Sequence, residues 1–223
     1  MSKYSEFFNS LLGKKLQIAF SGILLCLFLL FHLMNNLTLF AGPDIFNKMV
    51  NSLESIKPII RIMEFGLLII LCTHIGNAIY LTIYNKNTKS KKYLVKPSET
   101  STLNSRTMIV SGTIILLFFI IHLRYLWYTY QNHTFMVDET YYDVIMRNQI
   151  GYLGHMPTSI FYIISILFIA SHLKHGFESA LKTFGVLENS KWNILYKLSF
   201  IFWGIIPSLF IIIIISIQLK YIQ

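Results

Sequence analysis

Four histidines, His32, His74, His122 and His172, stand in four separate apolar stretches of the chain. A neutral imidazole offers one N–H donor and one nitrogen lone pair, so it can link two helices by a hydrogen bond or ligate a metal. At membrane depth such a ring is costly, and it is kept where it has a partner and a task. One intramembrane histidine is most often a hydrogen-bond link between helices. Four of them raise the question of whether they pair.

The elements that would position them follow from composition. Of 223 residues, 54% are hydrophobic and only 13% charged, and the mean hydropathy is +0.57. A water-soluble domain of this size does not carry that much apolar surface. Five stretches are long enough to cross a hydrocarbon core of ~30 Å at ~1.5 Å per helical residue. They run over residues 16–40, 61–84, 106–130, 157–182 and 194–219. The expected fold is an all-α integral membrane protein of five transmembrane helices, the first four forming a bundle that carries one of these histidines per helix. The remainder is too short for a second domain, so residues 1–223 are read as one unit. The first apolar stretch is too long for a secretory signal, and no small-residue cleavage site follows it. Cys26 and Cys72 lie within spans, form no CxxC spacing and read as buried thiols.

The net charge of +9 admits a nucleic-acid partner, but its distribution favours topology. With the N-terminus inside, the inner segments hold 13 Lys and Arg and the outer segments 6, as the positive-inside rule requires. The expectation is a cytoplasmic-membrane protein with its N-terminus inside and its C-terminus outside, its partners including the bilayer and no nucleic acid. Residues 5–12 read as an amphipathic lead-in at the inner interface. Gly185 is placed to end the fourth span, and Pro207 predicts a kink in the fifth.

Counting along the spans sorts the histidines by depth. His32 is 16 residues past position 16, and His122 is 16 past position 106. Both helices run outward, so both rings lie ~24 Å above the inner boundary. His74 and His172 lie 13 and 15 residues into helices that run inward. They fall ~10 Å above the inner boundary of a ~30 Å core. An outer pair, His32 with His122, and an inner pair, His74 with His172, result, ~14 Å apart in level. Two facing imidazoles are the axial ligands of a low-spin haem. Zinc would want three or four ligands at one level. His175, one turn past His172, is an alternative ligand, with His172 preferred because its depth better matches His74. His133 reads as a solvated loop residue. His155, at the outer mouth of the fourth span, reads as interfacial or as a group that could help bind a ligand. Ser21-Gly22 stands ten residues before His32, and Ser111-Gly112 ten before His122. These small residues either open space near the inner haem or let helices pack closely.

Phe31-His32-Leu33, Thr73-His74-Ile75 with Tyr80, and Ile121-His122 recur in order, one histidine per helix. The fourth span adds Ser171-His172-Leu173-Lys174-His175-Gly176-Phe177-Glu178-Ser179. On these motifs nearly the whole chain resembles the five-helix, di-haem cytochrome b anchor of succinate:quinone oxidoreductases, the succinate dehydrogenases and quinol:fumarate reductases. The resemblance implies two b haems, the distal one held by His32 and His122 and the proximal one by His74 and His172. It also implies an exchangeable quinone, such as menaquinone, and docking of a flavoprotein subunit and an iron–sulfur subunit on the cytoplasmic face. The lysine-rich loops 85–105 and 182–197 are candidate docking surfaces. Dicarboxylate chemistry would sit on those other subunits. For the quinone we expect the region of Asn35, Asn36 and Glu64 near the outer haem, with Arg61 and Arg124 pairing propionates or snorkelling. Two other readings stay open: the di-haem anchor of a hydrogenase or formate dehydrogenase, and a non-haem transporter or scaffold.

Overall fold

The computed structural model describes residues 3–88, 103–186 and 194–222, with side chains described for residues 6–87, 108–186 and 194–222. Every regular element among them is helical. Helix α1 (Lys3–Asn9) ends at Ser10, whose Oγ accepts the Gly13 N–H at 3.0 Å and opens α2 (Leu11–Leu37). That cap splits the expected lead-in, because a side-chain oxygen there satisfies an N–H that the helix leaves free. A 3-10 turn, Thr38–Ala41, carries the chain to Gly42, whose φ of 91° lets it reverse. Helix α3 (Pro43–Ser55) then lies across that end and buries Phe46 and Val50. It is followed by α4 (Lys57–Thr88) and α5 (Leu103–His122). A π-helical turn, Leu123–Trp127, joins α5 to α6 (Tyr128–Gln131). After α7 (Tyr141–Met146) come α8 (Met156–Thr183), α9 (Ile194–Phe200), a second π turn (Ile201–Ile205) and α10 (Ile206–Gln218).

Five helical segments are long and apolar enough to cross a membrane: Leu11–Ala41, Lys57–Asn87, Met108–Gln131, Met156–Thr183 and Ile194–Gln218. The first two outrun the spans read from the sequence. Hydropathy marks the hydrocarbon core, whereas backbone hydrogen bonding continues through Lys14, Lys15 and Lys86, whose long side chains can reach the interface. Pro207 is accommodated without a break. Its ring removes an N–H and crowds the preceding turn, and the helix widens just ahead of it, the Ile206 N–H bonding to the Ile201 carbonyl.

Helix α8 is the centre of the bundle, packed by α2, α5 and the α9–α10 helix, while α2 also packs on α4. The buried core follows that arrangement, with Leu33 of α2, Phe118 of α5, Tyr162 and Ile166 of α8, and Ile206 and Ile213 of α10. Helix α4 lies at the edge and leaves Ile62, Met63, Phe65 and Leu68 exposed. In water that face would drive association, but in lipid it is already solvated.

Helices α3 and α7 close one end of the bundle as a cap. Phe46 meets Tyr142 edge to face, and the Tyr142 N–H donates to Asn47 Oδ1 at 3.0 Å. Within the cap, Arg147 forms a two-point ion pair with Glu139 and donates to the Tyr152 hydroxyl and the Thr134 carbonyl. Both charged side chains are under 10% exposed, at 9% and 8%. Hydrogen bonding from Arg147 holds the Glu139 carboxyl below the usual range and raises the Arg147 guanidinium. A lowered carboxyl pKa stabilises the folded cap above the ordinary value of about 4.3, and that contribution is lost as pH falls through the lower folded value. Limited proteolysis of residues 132–155 is therefore expected to be flat from pH 7 to about 5 and to accelerate below about pH 4. Glu139→Gln should be cleaved readily throughout. An onset near pH 6 would remove the Glu139–Arg147 pair as the cause.

Candidate functional site: two stacked histidine pairs

The bundle brings the four predicted histidines together as two pairs. Towards the cap, the rings of His32 on α2 and His122 on α5 have centroids 5.7 Å apart at 88°. Towards the far end, His74 on α4 and His172 on α8 are 6.5 Å apart at 63°. The ring facing His74 is thus that of His172, and His175 stays outside this contact. Two imidazoles bound trans to one metal at ~2 Å per bond have ring centres ~6 Å apart. Both pairs fall close to that spacing.

The pairs differ in their surroundings. The cap-side pair sits among aromatic rings: Phe28 stacks on His32 at 5.6 Å, Phe118 on His122 at 5.5 Å, and Phe210 and Tyr162 approach at 5.7 and 6.0 Å. His122 Nδ1 is buried and finds no hydrogen-bond partner among the described residues. Such an orphan suits a site meant to hold another group. At the far side each ring is clasped by a serine from the neighbouring helix. Ser21 Oγ lies 3.1 Å from His74 Nδ1, and Ser111 Oγ lies 3.2 Å from His172 Nδ1. A partner on one ring nitrogen fixes the tautomer and leaves the other nitrogen for ligation. The adjacent glycines lie against the same rings, with room for a Cβ at ordinary van der Waals contact. A Cβ on Gly22 would come 3.4 Å from His74 Cε1, and one on Gly112 3.8 Å from His172 Cε1.

The repeat of Ser-Gly ten residues before a histidine therefore has a structural meaning. Helices α2 and α5 each supply a serine to the far-side level and a histidine to the cap-side level. Ser21 and His32 are eleven residues apart, as are Ser111 and His122. The two levels are thus separated by ~16 Å along the helix axes. Each level holds two histidines, and among the described residues no cluster of three or more His, Cys, Asp or Glu gathers anywhere. That donor set fits axial ligation of a planar cofactor and does not complete a tetrahedral zinc site.

The other predicted residues divide. Asn36 Nδ2 donates to the His32 carbonyl at 2.8 Å and lies 3.5 Å from His32 Nε2. Asn35 Oδ1 is buried with no hydrogen-bond partner among the described residues. Glu64, on α4, accepts from Arg61 at 2.9 Å, from Trp127 Nε1 at 3.0 Å and from Gln131 Nε2 at 3.3 Å. Trp127 and Gln131 lie five and nine residues beyond His122, so this carboxylate stands on the cap side of the upper pair. Arg61 is thereby committed to Glu64, and Arg124 lies 4.7 Å over the Tyr128 ring. His155 Nδ1 is 3.0 Å from Thr158 Oγ1 at the start of α8, and the His133 ring packs at 5.8 Å against Phe135. Sequence reasoning did not assign Ser21 and Ser111 as histidine partners, nor Trp127 and Gln131 as partners of Glu64. The repeated Ser-Gly motif was the signal for the first two. The docking loops fall largely outside the described residues, including Lys89, Lys91, Lys92, Lys96 and Lys191 and the Arg106 side chain.

Fold and site define a multi-pass, all-helical membrane protein that pairs histidines at two depths. Residues 17–96, the stretch holding His32 and His74, match the family described as Succinate dehydrogenase/Fumarate reductase transmembrane subunit. That stretch holds two of the four histidine motifs on which the resemblance rests. No curated protein and no solved structure matches the chain.

Proposed function

We propose that this chain is the membrane-anchor cytochrome b subunit of a succinate:quinone oxidoreductase. It relays electrons between a cytoplasmic iron–sulfur subunit and menaquinone or a related quinone. The observation that carries the proposal is the meeting of histidines from four helices as two pairs at two levels, each spaced for one iron. The family match over the first two spans supports this complex over a hydrogenase or formate dehydrogenase anchor.

His32 and His122 hold the distal haem, and His74 and His172 the proximal one. Haem b bound at each level supplies reversible one-electron transfer. Ser21 and Ser111 orient the proximal ligands through Nδ1. The aromatic wall of Phe28, Phe118 and Phe210 excludes water from the distal ligands. Glu64 exchanges protons with the quinone on the cap side, and Asn35 Oδ1 accepts from a quinol hydroxyl, with Asn36 beside it. The cap faces outward and the N-terminus inward, in the cytoplasmic membrane, and a flavoprotein subunit docks with the iron–sulfur subunit on the inner face.

A reduced-minus-oxidised spectrum of the purified protein tests the haem reading, and co-purification tests the complex. The expected result is a b-type spectrum at two haems per chain, with a covalent-flavin subunit retained. No b-type signal would return the histidines to linking helices. Haem with a hydrogenase or formate dehydrogenase partner would assign the chain to another anchor.

A further inference from the structure

A groove of about 700 Å³ runs between α8 and the α9–α10 helix. Its walls are Leu167, Ala170 and Lys174 on one side and Trp203, Pro207 and Ile211 on the other. Lys174 is two residues past His172, and two residues turn an α-helix by ~200°. The groove therefore lies behind the histidine pairs, on the opposite face of α8.

Its charge is confined to one end. Lys174 Nζ sits 4.8 Å over the Trp203 ring, and Trp203 Nε1 is buried with no hydrogen-bond partner among the described residues. No ion pair to Lys174 forms among those residues, although Glu178 is one turn away on the same helix. From Met156 to Lys174 is eighteen residues. That places the ammonium ~27 Å along a span crossing a ~30 Å core, at the headgroup edge of the leaflet remote from the cap. From there the groove runs towards mid-membrane past Leu167 and Ile211, ~10–12 Å along the two helices. The π turn and Pro207 shape its wall on the α9–α10 side.

We propose that this groove binds an anionic phospholipid, its phosphodiester on Lys174 and Trp203 and one acyl chain along Leu167, Ala170, Pro207 and Ile211. A cation at the hydrocarbon edge without a carboxylate calls for an anion. A quinone needs no cation and would use donors at both ends. The hydroxyl of Ser208 on the groove wall already donates to the Gly204 carbonyl at 2.8 Å. A water-soluble subunit would not reach the apolar half, where Leu167 is 56% exposed at a depth within the hydrocarbon core.

The test uses the protein purified with its partner subunits, delipidated in detergent and offered phosphatidylglycerol or phosphatidylcholine, with retention read by native mass spectrometry. Wild type is expected to retain phosphatidylglycerol about fivefold better. Lys174→Gln should erase that preference. Leu167→Trp, which fills the apolar end and leaves the charge, should reduce retention of both lipids. Circular dichroism of each variant reports folding, and if Lys174→Gln does not fold, Leu167→Trp carries the test. Equal retention of the two lipids by wild type, or unchanged retention in the variants, overturns the proposal. So does displacement of bound lipid by a menaquinone analogue in wild type and not in Leu167→Trp, which would make the groove a quinone site.

Discussion

His122→Leu is expected to leave one haem per chain in place of two. His122 and His32 face each other at 5.7 Å, and no third histidine, cysteine or carboxylate gathers with them among the described residues. A low-spin haem held by two protein ligands would lose half of its protein ligation when one is removed, and a leucine offers no lone pair. His32→Leu should remove the same haem. His74→Leu and His172→Leu should remove the other, and His175→Leu should remove neither. The measurement is the haem-to-protein ratio together with the low-temperature difference spectrum, in which each pair of variants should delete one component. If His122→Leu and His74→Leu delete the same component, the four histidines do not form two independent sites.

Glu64→Gln is expected to lower quinone-linked turnover by on the order of a hundredfold, the scale of one general acid–base group. The substitution is nearly isosteric, and the amide oxygen can still accept from Trp127 Nε1 and Gln131 Nε2, which now bond to the carboxylate. It removes the proton-carrying oxygen and the Arg61 charge pair. Haem content should be unchanged, and so should electron flow from the partner subunits to an artificial acceptor that bypasses the quinone. Turnover within twofold of wild type would remove Glu64 from the quinone chemistry and leave it as a tie between α4 and the end of the third span.

The five spans were legible because long apolar runs have few alternatives in a bilayer. The depth pairing was legible for a related reason: helical rise is fixed, so position 16 and position 106 predict that His32 and His122 share a level. Side-chain partners were not legible in the same way. Nothing in the run around Ser21 says which helix it will face, and the choice of His74 follows from α2 packing on α4. Arg61 and Glu64 are three residues apart, a spacing that brings helical side chains together, so their ion pair follows from local geometry. Trp127 joins them through the π turn after His122, and π turns carry no reliable sequence signature. Helix α3 went unread because its thirteen residues are too short to span a bilayer, although Ile45, Phe46, Met49, Val50 and Leu53 recur at helical spacing and Phe46 enters the core against Tyr142.

The eleven residues between the serine clasps and the cap-side histidines also set an electrical distance. A charge crossing the whole membrane gains or loses ~2.3 kcal/mol per 100 mV. For electrons exchanged between haems held at the two levels, ~16 Å is about half of that field, or roughly 1 kcal/mol per electron per 100 mV. With the interior negative, outward transfer runs downhill and inward transfer uphill. On the proposed function, the spacing written into α2 and α5 would tie the direction of electron transfer to how strongly the membrane is energised, outward transfer gaining as the interior becomes more negative.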